Sequence, residues 1–439
     1  MNEYAGYLAN LKERNKVVAV EDILTDQGVL LAKSGTHCNK KICENILRFK
    51  LLKPLEDSVL IANQLTAKHI YKKVISMVAA DIWLVAINNA SGDKLILQRC
   101  CLRLEKYPLL LQKLTVLDKE LPDIFHQALL SAYLAAICRS MDKCLQKDIE
   151  EAFLAGISHD LGLLHIDHYI LTKKERLDAD EWRKIQSHPV IGYEMLKRFK
   201  FFPLEVATAV LEHHENLDGS GYPRTKTAED LGNLGQLIRL LDNVIAIYNR
   251  KFKPSKRSLH DVLPIIQMNM HSYFPDQVSV IVRMLKQVPT SPTAKRNDSL
   301  VSELIDYVYQ LQHYAVEIAQ VIRQANEDIG FNHDNKEMYA LQNIASNIVA
   351  IISSAGLDDT GYSSSLKALD KSDQQAAYNE AENTRLMLEE IVYQIQGYRK
   401  SVSVFVSKNS ANANIALNAV IQKFEETRSP KAPESLRYP

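Results

Sequence analysis

Seven of the thirteen histidines fall between His126 and His214. Five of them, His126, His159, His188, His213 and His214, lie where helical segments can bring imidazoles together. Two aspartates accompany them, Asp160 directly after His159 and Asp242 further along. Imidazole and carboxylate without thiolate form a donor set suited to iron, manganese or zinc. The residues carry unequal weight. A lone histidine flanking an apolar stripe, as at His126, is more often a satisfied core residue than a ligand, and His188 beside Pro189 could simply cap a helix. Asp242 says more, because Ile238, Leu241 and Ile245 put it on an apolar helix face. An ionised carboxylate is costly there unless a cation compensates. His159-Asp160 ends a helix just before Gly162, which is expected as a left-handed stop. His213-His214 repeats the arrangement, since neighbouring helical residues diverge by about 100° and can straddle a metal pair.

Helices must position these donors. Apolar residues recur at helical spacing over Leu121–Met141, with Pro122 in the first turn, where proline is tolerated. Further helical patterns cover Asp148–Asp160, Pro189–Phe199, Leu204–His214, Leu234–Arg250 and Leu259–Ser272, and strand signals are nearly absent. Upstream, Val17 to Thr36 holds two short β-rich runs broken by Gly28 and Gly35, which predicts a small hairpin. A helical pattern with Ile42 and Ile46 follows, then helices from about Gln64 to Asn89. Residues 1–100 are therefore expected as a small α+β module with helices, sensory or interacting in role. Beyond a linker at Pro289–Pro292, long helical stretches begin at Leu300, Glu337, Asp373 and Ala411, with a loop at Gly356–Ser365. Residues 295–428 read as a helical bundle or coiled coil for oligomerisation or docking, and 429–439 as a disordered tail.

Bulk properties exclude several classes. Lysine plus arginine equals aspartate plus glutamate, 53 each, so net charge gives no reason to expect bulk nucleic-acid binding. The N-terminus is charged where a signal peptide is apolar, and the apolar run Val74–Ile87 is too short to span a bilayer. The six cysteines form no C-x-x-C pair and are expected as reduced thiols in a cytoplasmic protein.

The segment His213-His214-Glu215-Asn216-Leu217-Asp218-Gly219-Ser220-Gly221-Tyr222-Pro223 is the most specific string in the chain. Glycines flanking a serine make a turn that can take positive φ, and Tyr222-Pro223 fixes an aromatic beside it. With the lone helix histidine, the His159-Asp160 pair, Ser187-His188-Pro189-x-x-Gly192, Asp242 and Phe274-Pro275-Asp276, the region Leu104–Val288 resembles the HD-GYP family of bacterial cyclic di-GMP phosphodiesterases. The resemblance implies a mainly α chain with an HD-type helical bundle. It also implies two divalent metals, iron or manganese, bridged by Asp160. One would take His126, His159 and Asp242, the other His188, His213 and His214. Such a pair clamps a phosphodiester and acidifies the water between the ions. Gly221, Tyr222, Pro223, Arg250 and Lys251 would meet the substrate, Tyr222 shaping the rim rather than supplying a proton. Implied partners are cyclic di-GMP, a diguanylate cyclase or other signalling protein, and a second copy of the chain through the C-terminal helices.

The family pattern is not complete. Its HD-x-G-K lysine is Leu163 here, and losing a charge-assisted phosphate contact costs about 1.5–3 kcal/mol. The arginine nine residues past Asp242 is Lys251, which keeps the charge without the fork. Pro122 replaces the glutamate that holds a third metal in some members. Arg224, Lys226, Arg239 or His165 could compensate, whereas His165 and His168 are more simply ordinary residues. Two readings follow: an enzyme hydrolysing cyclic di-GMP to pGpG or GMP, or a catalytically weak module that senses the nucleotide or docks a partner. Action on another phosphoester or on oxygen is a third.

Overall fold

The computed structural model describes the chain apart from residues 1–2, 12–15, 47, 93–94, 176, 255, 291–297, 331–334, 359–365, 367, 369–372, 409–413 and 437–439. The fold is mainly α, with small sheets confined to the N-terminal part. Helix α1 (Glu3–Asn10) leads into β1 (Val17–Ala19), β2 (Ile23–Leu24), β3 (Leu30–Ala32), α2 (Lys40–Ile46) and β4 (Val59–Ile61). The expected hairpin forms differently. β2 pairs with β3, but β1 pairs antiparallel with β4, Val18 opposite Leu60. The apolar run from Gln64 splits at Asp81 into α3 (Ala67–Ala80) and α4 (Ile82–Ser91), because Asp81 caps the second helix by accepting from the Trp83 amide.

The central helical part comprises α5 (Ile96–Arg103), α6 (Pro108–Glu120), α7 (Pro122–Met141), α8 (Gln146–Ser158), α9 (His168–Thr172), α10 (Ala179–Gln186), α11 (His188–Lys197), α12 (Leu204–Glu212), α13 (Asn233–Ile247), α14 (Leu263–Met268) and α15 (Pro275–Leu285). Every residue of α7 from Ala128 to Cys138 is buried, which marks it as the central rod of the core. α8 lies hard against it. A Cβ on Gly156 would sit 2.6 Å from the Ala132 Cα, so only glycine permits this approach. One apolar core runs from Tyr4 to Val288 and takes in the N-terminal module. A second core gathers Met268 with residues of α16 (Asp298–Ile329), α17 (Lys336–Ser354), α18 (Gln374–Lys408) and α19 (Asn414–Glu426).

The expected linker at Pro289–Pro292 and loop at Gly356–Ser365 lie partly outside the described residues. Within the stretch read as a disordered tail, Glu434–Leu436 form a helical turn, with Leu436 buried and the Ser435 hydroxyl donating to Glu303. The six cysteines are free thiols, five of them buried. Among the described residues, no helix is long and apolar enough to cross a membrane.

Helix α1 clips onto the helical part. Tyr4 and Tyr7 are buried, donating to Gln112 Oε1 at 3.1 Å and to the Ile166 carbonyl at 3.0 Å. Beneath Tyr4 lies the fully buried Lys113, 3.5 Å from Glu56 Oε1 and 3.2 Å from the Tyr4 ring centroid. Burial drives the Lys113 pKa down to about 8 despite Glu56. The unfolded chain keeps that proton up to about pH 10. Between these values the unfolded state binds more protons, so this group's contribution to stability rises with pH. Urea unfolding of wild type and Lys113→Met is expected to show wild type gaining about 2 kcal/mol relative to the variant between about pH 7.5 and 9.5. A constant difference would refute the assignment.

Candidate metal centre

Three histidines share one local construction. The His159, His188 and His213 Nδ1 atoms lie 2.8, 2.7 and 2.6 Å from the backbone carbonyls of Gly156, Ile185 and Val210, each three residues earlier. A carbonyl only accepts, so each Nδ1 carries a proton and each Nε2 is the ring atom left to face the site. The turn of chain before each histidine thus sets both tautomer and aim. His159 and His213 follow the last residues of α8 and α12, and His188 opens α11.

The Nε2 atoms converge on Asp160. Oδ2 lies 3.2 Å from His159 Nε2, while Oδ1 lies 3.3 Å from His188 Nε2 and 3.9 Å from His213 Nε2. Asp160, His188, His213 and His214 each offer a donor atom within 4.8 Å of the others. Asp242 on α13 stands on the far side, its Oδ1 3.9 Å from His159 Nε2. Without a cation this arrangement is frustrated. His188 and His213 point Nε2 atoms at each other across 3.1 Å, and the buried His159 Nε2 meets only the Asp160 and Asp242 carboxylates. Burial opposes charge on His159, yet Asp160 and Asp242 raise its pKa to about 9. Burial and the neighbouring imidazoles hold His213 well below the usual range and His214 at about 3. Asp160 is itself held far below the carboxylate range: burial opposes this, and His159 and His188 overcome it. The carboxylates therefore call for positive charge at a point where imidazole Nε2 atoms converge. A divalent cation fits that demand.

Glycines bring the segments together. A Cβ on Gly162 would lie 2.0 Å from the His188 carbonyl oxygen, so this glycine exists for close approach and not as the expected left-handed stop. Of the two loop glycines, Gly219 has φ +74°, whereas Gly221 is required because a Cβ would fall 2.3 Å from the Asn216 nitrogen. Tyr222 stacks on His214 with ring centroids 4.7 Å apart, next to Pro223, and Trp182 stands edge-on at 6.5 Å. Burial, with Asp160 and Asp242 nearby, pushes the phenol upward, so it stays protonated.

Other expected residues lie elsewhere. His126 is exposed on α7 and lines a cleft with Lys72, Lys73 and Asp118; its neighbour Gln127 faces inward and donates to Asp242 Oδ1 at 2.7 Å. One residue is a rotation of about 100° on a helix, and α7 presents Gln127 instead. Arg250 and Lys251 turn away toward α18. They pair with Glu390 at 2.8 Å and Glu389 at 2.9 Å. The suggested substitutes for the lysine are also engaged. Lys226 pairs with Glu212, Arg239 donates to Asn216 and Ser272, Arg224 lies over Tyr193, and His165 packs on Tyr4 with His168 near Tyr7. Leu163 is buried with Ile166 and Ile170. Two residues escaped the sequence reading: Gln127, and Glu215, which is buried and accepts from the amides of Arg224 and Lys226, stitching the Tyr222 loop. Its place in the His-His-Glu string was the available signal.

A family model described as HD domain matches residues 107–278. The 3'3'-cGAMP-specific phosphodiesterase 3 of Vibrio cholerae is 28% identical over 141 residues, 32% of this chain and 30% of that protein. A cyclic di-GMP phosphodiesterase of Borreliella burgdorferi is 24% identical over 184 residues, 42% and 48% of the two chains. One from Thermotoga maritima is 27% identical over 142 residues, 32% and 39%. The chain thus spans less than half the length of each of these relatives. Among solved structures, the HDG"Y"P protein Bd1817 from Bdellovibrio bacteriovorus aligns with a TM-score of 0.33 at 13% identity, over 64% of this chain and 97% of that one. Residues 107–278 thus form an HD domain, and with the His213–Pro223 loop this region is similar to cyclic dinucleotide phosphodiesterases of the HD-GYP type.

Proposed function

We propose that the chain is a metal-dependent phosphodiesterase that hydrolyses cyclic di-GMP to pGpG or GMP, using two divalent ions of iron or manganese. The observation that carries this reading is the set of three imidazoles with Nδ1–H groups committed to carbonyls and Nε2 atoms turned on one carboxylate. Bound divalent ions supply Lewis acidity toward a phosphodiester and a water acidic enough to attack at neutral pH. His159 and Asp242 would hold one ion, and His188, His213 and His214 the other, with Asp160 offering an oxygen to each side. His126 stands outside this set. Tyr222 closes the rim and orients substrate by stacking, placed by Gly221 and Pro223. The free cysteines suit a reducing compartment, and the cytoplasm is where we place the enzyme. A signalling protein such as a diguanylate cyclase, and a second copy bound through the C-terminal helices, are the partners of this reading.

A module that binds nucleotide without turning it over is favoured by two observations. Leu163 is buried in an apolar cluster, and α18 engages Arg250 and Lys251. Protein purified under conditions that protect ferrous iron separates the readings. The enzyme predicts a pair of metal ions per chain and turnover of cyclic di-GMP, with 3'3'-cGAMP tested beside it, lost in His213→Ala. Metal and nucleotide binding without turnover selects the second reading, and activity gained in Leu163→Lys strengthens it. Absence of metal from protected protein removes both.

A further inference from the structure

A cavity of about 560 Å3 lies between the helical domain and the C-terminal bundle, and none of the clustered histidines lines it. Its walls are the Asn216–Ser220 stretch, α13, the turn before α15, α17 and α18. Bonds across its margin fix these walls. Asn343 donates to the Asp218 carbonyl at 2.6 Å, and Gln394 donates to Asn269 Oδ1 at 3.0 Å.

The chemistry of the wall is specific. Two guanidiniums, Arg239 and Arg250, are matched by two carboxylates, Asp218 and Glu390. Arg250 pairs with Glu390, and Arg239 is committed to Asn216 and the Ser272 carbonyl. That balance suits a neutral ligand rather than a phosphate. Asn347 and Gln394 use their amide nitrogens on Ser272 and Asn269, which leaves two carbonyl oxygens to accept from a ligand. Tyr398 is 1% exposed, and its hydroxyl has no hydrogen-bond partner among the described residues. Tyr393 is 57% exposed and carries the Arg250 guanidinium on its ring at 3.9 Å, a stacking platform for a flat heterocycle. Gly397 sits within α18 where a Cβ would meet nothing within 4 Å. Glycine in a helix interior is unfavourable, and close packing does not require it here. Its effect is to keep this wall open.

We propose that the cavity binds a purine nucleoside, guanosine matching it best. The adjacent N1–H and amino donors of guanine suit the two amide carbonyls, and its O6 and N7 acceptors suit a hydroxyl donor. The size and mixed lining are those of a small-molecule site.

Isothermal titration of the metal-depleted full-length chain tests this without reference to catalysis. Guanosine is expected to bind, with cytidine and inorganic phosphate giving no heat. Gly397→Leu, which fills the space, and Tyr393→Ala, which removes an exposed platform, are each expected to weaken guanosine binding by about tenfold or more, with melting temperature retained. Unmeasurable guanosine binding to wild type overturns the proposal. So does binding that both variants leave unchanged, because the nucleoside would then occupy another site.

Discussion

Replacing Asp160 with asparagine is expected to abolish tight metal binding and to lower hydrolysis by on the order of a thousandfold or more. The side chain sits within 4 Å of three imidazole Nε2 atoms, and its two oxygens face different groups. Asparagine keeps the shape and removes the charge. It also turns an amide N–H2 toward one group of Nε2 atoms, where a cation would have to displace it. The electrostatics give a second readout. In the metal-free chain, burial opposes charge on His159, and the Asp160 and Asp242 carboxylates hold its pKa at about 9, so the imidazole is protonated at about pH 7.5. Metal binding must expel that proton, and titrations in buffers of different ionisation enthalpy should register its release. The variant loses the foremost of the two charges sustaining the shift, so its release should shrink along with its affinity. Wild type should also gain about 2.7 kcal/mol of stability at a hundredfold metal excess over Kd, with little gain in the variant. Turnover within about tenfold of wild type, or an undiminished metal-induced stabilisation, would contradict the central role given to this carboxylate.

Most of the candidate donors could be nominated from the chain because their placement is built locally. His159, His188 and His213 each bond the carbonyl three residues back, so a histidine at a helix terminus is already aimed by its own turn. Helix-end spacing together with the family resemblance was enough to nominate them. His126 shows where that logic stops. On α7 every residue from Ala128 to Cys138 is buried, so the apolar pattern defines no face and cannot fix which neighbouring residue looks inward. The structure presents Gln127. Non-local pairings were equally hidden. β1 finds β4 and not the next strand, and Arg250 and Lys251 find Glu390 and Glu389 on a helix far along the chain. Burial of Tyr4 and Tyr7 likewise depends on surfaces that α1 does not encode.

Gly162→Ala is expected to disable the centre almost as fully as loss of a ligand, although Gly162 donates to no metal. An added Cβ would lie 2.0 Å from the His188 carbonyl oxygen, 2.8 Å from its carbon and 2.9 Å from the Gly192 nitrogen. All three obstacles are backbone, so no side-chain rotation relieves the clash. The first turn of α11 must move, and His188 moves with it, away from Asp160 and from the His213 ring. Overpacking of this kind costs about 1–3 kcal/mol in general and more against rigid backbone. A shift near 1 Å in a positioned group costs about a hundredfold in rate. Urea unfolding, metal titration and turnover should therefore all fall together in Gly162→Ala. Gly397→Ala provides the opposing case, since its Cβ meets nothing within 4 Å and a helix interior favours alanine by about 1 kcal/mol. That substitution should stabilise the chain and leave metal affinity untouched. If Gly162→Ala bound metal and turned over like wild type, the close approach of the His159-Asp160 segment to α11 could not be what holds His188 in place.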